Sequence, residues 1–92
     1  MITAAQIRAA RALVSIDQRR LAELSGLSVP TIQRMEASDG VIRGNVDSLV
    51  KLVAALEGAG VELLGEGMPS HGEGRGVRLR QAGAALGPAS NP

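Results

Sequence analysis

Few side chains in this sequence suit covalent or acid–base chemistry. The one histidine, His71, sits in the glycine-rich stretch GEGMPSHGEGRG, and there is no cysteine. No carboxylate pair, Ser–His arrangement or metal-ligand cluster accompanies it, so no catalytic constellation forms around it. GEGRG is glycine-rich as a phosphate-cradling loop is, but no strand–loop–helix context with a P-loop lysine goes with it. The sequence implies no enzyme, no cofactor and no metal site. What it offers is hydrogen-bonding chemistry. The run VPTIQRME, residues 29–36, sets Thr31, Gln33 and Arg34 close together. An amide that donates and accepts side by side, next to a planar guanidinium fork, recognises flat polar edges by paired hydrogen bonds.

Composition bounds what else the chain does. At 92 residues it is one small domain with little room for a deep substrate cleft. Hydrophobic residues make up 45% but none is Phe, Tyr or Trp, so Leu, Ile, Val, Ala and Met must form the core. Without cysteine there is no disulfide framework, which suits a reducing cytoplasm. No apolar run approaches the ~20 residues of a membrane span. The N-terminal residues match neither a signal peptide nor a lipidation motif. A cytoplasmic domain with no membrane partner is expected. Net charge is only +1, which removes a strongly basic footprint as an argument. Residues 1–43 hold six arginines (Arg8, Arg11, Arg19, Arg20, Arg34 and Arg43) against Asp17, Glu23, Glu36 and Asp39. That excess leans weakly toward an anionic partner, and a solvated mixed-charge surface explains it nearly as well.

The elements that must position these groups are helices. Thr3 and Gln6 have capping-box spacing, and Ile7, Ala10, Leu13 and Val14 follow as an apolar stripe. Asp17 suits the cap of a second helix, residues 18–25, in which Leu21, Ala22 and Leu24 look like one face. Gly26 supplies the positive φ that ends it. Ser28 caps a third helix reaching Ala37 or Ser38, with Pro30 tolerated in its first turn, and Asp39-Gly40 reads as a turn. Asn45 caps a fourth helix carrying Val46, Leu49, Val50, Leu52, Val53 and Leu56, which Gly58 and Gly60 stop. The expected class is mainly α: four helices over residues 1–58, then a β-hairpin over 59–80 and a disordered tail over 81–92.

Two short helices joined by the three-residue turn Gly26-Leu27-Ser28 form a helix-turn-helix unit, in which the first helix braces a second presented to the DNA major groove. Close crossing needs a small residue, Ala22; the turn needs Gly26; Leu21, Leu27, Ile32 and Met35 fill the wedge. The run IRAARALVSIDQRRLAELSGLSVPTIQRME resembles the lambda-repressor/Cro (XRE) family of transcription regulators. Gln18, Leu21-Ala22, Gly26-Leu27-Ser28, Ile32 and Glu36 stand at that family's spacings, and the likeness extends over residues 3–57. Asp17 replaces the usual Ser or Thr, which also cap, and Ile16 replaces a frequent aromatic or Leu.

The resemblance implies double-stranded DNA as partner. It would make Gln18 a phosphate donor at the start of the second helix. Val29, Pro30, Thr31, Gln33 and Arg34 would occupy the outward, base-reading positions, with Gln33 suited to adenine, Arg34 to guanine, and Val29 and Pro30 to a thymine methyl. Arg11 would pair with Glu36 and extend toward a phosphate. Arg19, Arg43 and Asn45 would be further phosphate contacts, with Arg20 on a solvated face.

Beyond Gly60 the period changes to two: Val61-Glu62-Leu63 and Val77-Arg78-Leu79-Arg80 alternate apolar with charged residues. A hairpin of these segments would place Glu62 opposite Arg78 or Arg80, and would join a second copy edge to edge as a homodimer. Its alternative is a disordered tail. The function expected is that of a regulator, in the simplest case a repressor, binding a short operator as a dimer. The rival is an antitoxin that holds both its operator and a toxin protein, which an adjacent toxin-like reading frame would favour.

Overall fold

Each helix among the described residues begins on a side chain that accepts a hydrogen bond from its own first turn. The computed structural model describes residues 2–42 and 44–78. Thr3 Oγ1 accepts the Gln6 N–H at 3.1 Å while Gln6 Oε1 accepts the Thr3 N–H at 2.8 Å, and the box opens α1 (Ala4–Val14). Asp17 accepts from the Arg20 N–H at 2.7 Å and starts α2 (Gln18–Ser25). Ser28 accepts from the Thr31 N–H at 3.2 Å and starts α3 (Val29–Glu36), with Pro30 in its first turn. Asn45 accepts from the Ser48 N–H at 2.7 Å and starts α4 (Val46–Gly58). Caps of this kind each contribute about 1 kcal/mol.

The ends are equally local. Gly26, at φ +76°, closes α2 in the left-handed region, and its N–H donates to the Ala22 carbonyl at 2.9 Å. α3 stops at Glu36, slightly earlier than expected, with Ala37 as its C-cap. In α4 the expected stop is shared: Gly58 still belongs to the helix, and Gly60 takes the positive φ, +101°.

The four helices pack around one apolar core. Ile7, Leu21, Ile32, Leu52 and Leu56 are its large, fully buried members, one or two from each helix. Burying each stabilises by roughly 1.5–3 kcal/mol. α2 lies at the centre, against both α3 and α4, while α1 packs on α3. Ala22, 7% exposed, is the small residue that the close crossing requires. Ser25 is buried in the turn, where its hydroxyl donates to the Leu21 carbonyl and accepts from the Leu27 N–H. One unexpected tie closes the domain: Ala4 N–H donates to the Gly40 carbonyl and Ile42 N–H to the Ile2 carbonyl, pairing the two segments in a single antiparallel bridge.

Three expectations need correction. Leu13 is 47% exposed and Leu24 42%, so neither completes the buried face assigned to it. In α4, Val46 is 72% and Val50 60% exposed; Leu52 and Leu56, four apart, define the inward face, and the valines lie off it. The third is the hairpin. Among the described residues no strand forms after α4. Val61 is buried and Leu63 packs on the helical core, and the Gln6 side-chain amide donates to the Leu64 carbonyl at 2.8 Å. The segment is therefore held by helices rather than by a partner strand. Val77 is 75% exposed, and Glu62 accepts from Ser70 Oγ and the His71 N–H instead of facing Arg78, whose guanidinium donates to the Met68 carbonyl. Leu79, Arg80 and the expected tail over 81–92 lie outside the described residues. No helix among the described residues is long and apolar enough to cross a membrane.

Two glycines test this account with opposite signs. A Cβ at either Gly26 or Gly58 meets no atom within 4 Å, so only backbone conformation decides. Gly26→Ala, at φ +76°, lowers stability by about 1–2 kcal/mol. Gly58→Ala, inside α4, raises it by up to about 1 kcal/mol. Urea denaturation of the two variants measures both; equal signs would contradict the assignment of Gly26 as the turn residue.

Candidate functional site

The candidate site is α3 together with what holds it. Its inward residues are Ile32, Met35 and Glu36, which are 0%, 4% and 5% exposed. An eight-residue helix is marginal alone, so these contacts determine whether α3 exists and where it points.

Glu36 is the polar centre of the arrangement. Arg11, from α1, grips its carboxylate with two bonds, Nε to Oε2 at 2.6 Å and Nη2 to Oε1 at 2.7 Å. The remaining Arg11 nitrogen, Nη1, donates to the Ile16 carbonyl at 3.2 Å. Gln18, the first residue of α2, donates its amide N–H to Glu36 Oε1 at 3.1 Å. Arg8 donates to the Glu36 main-chain carbonyl at 2.5 Å, supplying a cation at the negative end of α3. Burial pushes the Glu36 carboxyl up. The Arg11 and Gln18 hydrogen bonds and the Arg11 and Arg8 charges outweigh it, so the group sits below the ordinary glutamate range. Arg11 is held above its ordinary value by its hydrogen bond to Glu36, against the opposing effect of burial.

The outward side of α3 carries the residues expected to read bases. Pro30, Gln33 and Arg34 are exposed. Thr31 is half-buried and its Oγ1 lies 2.8 Å from Ser28 Oγ and accepts from Arg34 Nη2 at 3.2 Å. A short hydrogen-bonded row thus runs along the helix from its cap to the guanidinium. Val29 differs from expectation in being half-buried and packed against the core, which leaves it less to offer outward.

The residues expected at phosphates divide. Arg19 is exposed and makes no hydrogen bond or ion pair among the described residues. Gln18 is half-buried on Glu36, and all three Arg11 nitrogens are engaged within the chain. Asn45 gives its carbonyl oxygen to the α4 cap, leaving the amide NH2 as its free donor. Arg20 forms an exposed pair with Glu23 at 3.0 Å, the solvated face expected of it. Arg43 lies outside the described residues. Sequence reasoning missed two members, Arg8 and Ser25. Arg8 had a signal, standing three residues before Arg11 on the same helix; Ser25, one residue before the glycine, had none. A groove of about 670 Å³ between the end of α1 and residues 60–78 includes none of these side chains.

Removing Glu36 tests the arrangement. Glu36→Ala orphans a largely buried guanidinium and costs about 3–5 kcal/mol by thermal or urea unfolding, an effect on folding rather than on base preference. Unchanged melting with altered sequence preference would refute this. Because the folded carboxyl sits below its unfolded value near 4.5, its stabilisation is full above that pH and is lost as pH falls through the folded value. Glu36→Gln therefore lowers stability at neutral pH and flattens its acid dependence. Compared with family models, curated proteins and solved structures, the chain matches none, so the reading of its site rests on its own residues and their geometry.

Proposed function

We propose that the protein is a sequence-specific DNA-binding regulator of the lambda-repressor/Cro (XRE) type. The observation that carries this reading is the two-faced α3. Glu36 and its arginines fix its inner side, while Pro30, Gln33 and Arg34 stand exposed on the other and follow a glycine-closed turn from α2. A helix fixed by its neighbours with amide and guanidinium groups turned outward suits insertion into a major groove. Gln33 offers the geometry for adenine and Arg34 that for guanine. Gln18 and Arg19, at the start of α2, serve phosphates, with the α2 N–H groups adding to the same oxygen. Two copies on a two-fold operator would set their recognition helices about 34 Å apart, and occlusion of polymerase is the simplest outcome.

Binding to fragmented genomic DNA near physiological salt, with excess competitor and sequencing of what is retained, tests the reading. A few enriched sites sharing a short motif are expected, with half-sites one helical turn apart. Arg34→Ala then relaxes preference at one base pair and weakens specific binding by about 1–3 kcal/mol. Arg19→Ala weakens all sequences alike and reduces the salt slope by about one ion. A flat profile overturns specific recognition and redirects the search to a protein partner.

A further inference from the structure

The Glu36 carboxylate does more than hold Arg11. Its Oε1 receives two donors, Arg11 Nη2 at 2.7 Å and Gln18 Nε2 at 3.1 Å. An ionised carboxylate only accepts, so Gln18 must turn its nitrogen, not its oxygen, toward Glu36. One amide N–H is thereby committed inward. The other, on the same planar nitrogen, points away from the carboxylate, and Gln18 is only half-buried. A freely rotating surface glutamine loses side-chain entropy of up to about 2 kcal/mol when a ligand orders it. A glutamine already tied to a buried ion pair has lost most of it on folding.

From this geometry we propose that Glu36 is a positioning residue for DNA binding. It fixes the Gln18 amide so that its free N–H is presented to a backbone phosphate, coupling the end of the recognition helix to the start of α2. The proposal rests on the DNA reading above and names a role for Glu36 within it. Arg11 takes part through the carboxylate it orients, since its own nitrogens are occupied.

A double-mutant cycle tests it. Replacing the ion pair by apolar residues, Arg11→Met with Glu36→Leu, removes the acceptor while sparing the fold, because well-packed apolar substitutes for buried pairs are commonly neutral or stabilising. Thermal melting checks that. Affinity is read on a labelled mixed-sequence duplex, since phosphate contacts do not depend on sequence. Gln18→Ala is expected to weaken the unmodified protein about three- to tenfold, the worth of one hydrogen bond, and the apolar-pair variant less than about twofold. Equal losses in both backgrounds overturn the proposal. Should the apolar pair fail to fold, Gln18→Lys decides. Held by Glu36, the new ammonium leaves affinity and salt slope unchanged or lower; on a free surface position it raises the slope by about one ion and overturns the proposal. In NMR spectra of the free protein, the two Gln18 side-chain amide protons should be well separated and slow to exchange. Averaged, rapidly exchanging signals overturn the fixed amide whatever the DNA result. If the fixed amide is seen but the unmodified protein does not bind the duplex, it is the DNA reading that has failed, and the phosphate role with it.

Discussion

A carboxylate at the C-terminal end of a helix, almost wholly removed from water, is placed where physics disfavours it twice. The carbonyls ending α3 repel it, and burial strips its hydration. Glu36 occupies that position at 5% exposure. It is tolerated because Arg11 meets it with a two-pronged charge-assisted contact, Gln18 adds a third donor, and Arg8 takes the main-chain carbonyl beside it. α1, α2 and α3 therefore meet at one side chain. Such a pair contributes little net stability compared with a well-packed apolar pair. Its effect is on geometry: a guanidinium fork and a carboxylate fit in one relative orientation, whereas leucine against leucine tolerates several.

That constraint explains how so short a helix is held. α3 has eight residues, and its buried apolar contacts, Ile32 and Met35, are non-directional. The Glu36 contacts supply the missing restraint at its C-terminal end, and the Ser28 cap with the Gly26 turn supplies it at the other. Between these two anchors, the outward side is free of structural duty except for the Ser28–Thr31–Arg34 row. Exposed groups can then vary without cost to the fold, the division of labour a binding helix requires.

The local rules of this chain were legible in its sequence and the long-range ones were not. Thr3, Asp17, Ser28 and Asn45 cap because each side chain accepts from the N–H three residues further on, and Gly26 turns because it takes a positive φ. Such causes act within one helical turn. Arg11 and Glu36, 25 residues apart, are an expectation of the family resemblance and not of any local rule; in the structure they lie 2.6 Å apart. The acceptor of Arg8, a main-chain carbonyl, leaves no mark in sequence, and Gln18 meets the Glu36 carboxylate across 18 residues, beyond the reach of any local rule. The hairpin failed for a related reason. Alternation over Val61-Glu62-Leu63 is too short to distinguish a strand from an extended segment packed on helices, and Val61 and Leu63 find the helical core. Surplus valines likewise hid which side of α4 faces in.

Charge distribution shapes how such a domain would bind DNA. The chain carries a net +1; Arg11 commits its fork to Glu36, and Arg8, itself exposed, donates to the Glu36 main-chain carbonyl. Arg20 is opposed by Glu23 and Arg34 gives one donor to Thr31, while Arg19, Lys51 and Arg75 are exposed with no hydrogen bond or ion pair among the described residues. Were DNA the partner, counterion release through Arg19 and Arg34 alone would give weak binding and a shallow salt dependence per copy. Affinity would then rest on donors whose orientation is fixed before the ligand arrives, and on two copies sharing one duplex so that the second binds at high effective concentration. A nearly neutral domain fits that economy: the Arg11 charge is offset by Glu36, and what the pair returns is a fixed α3.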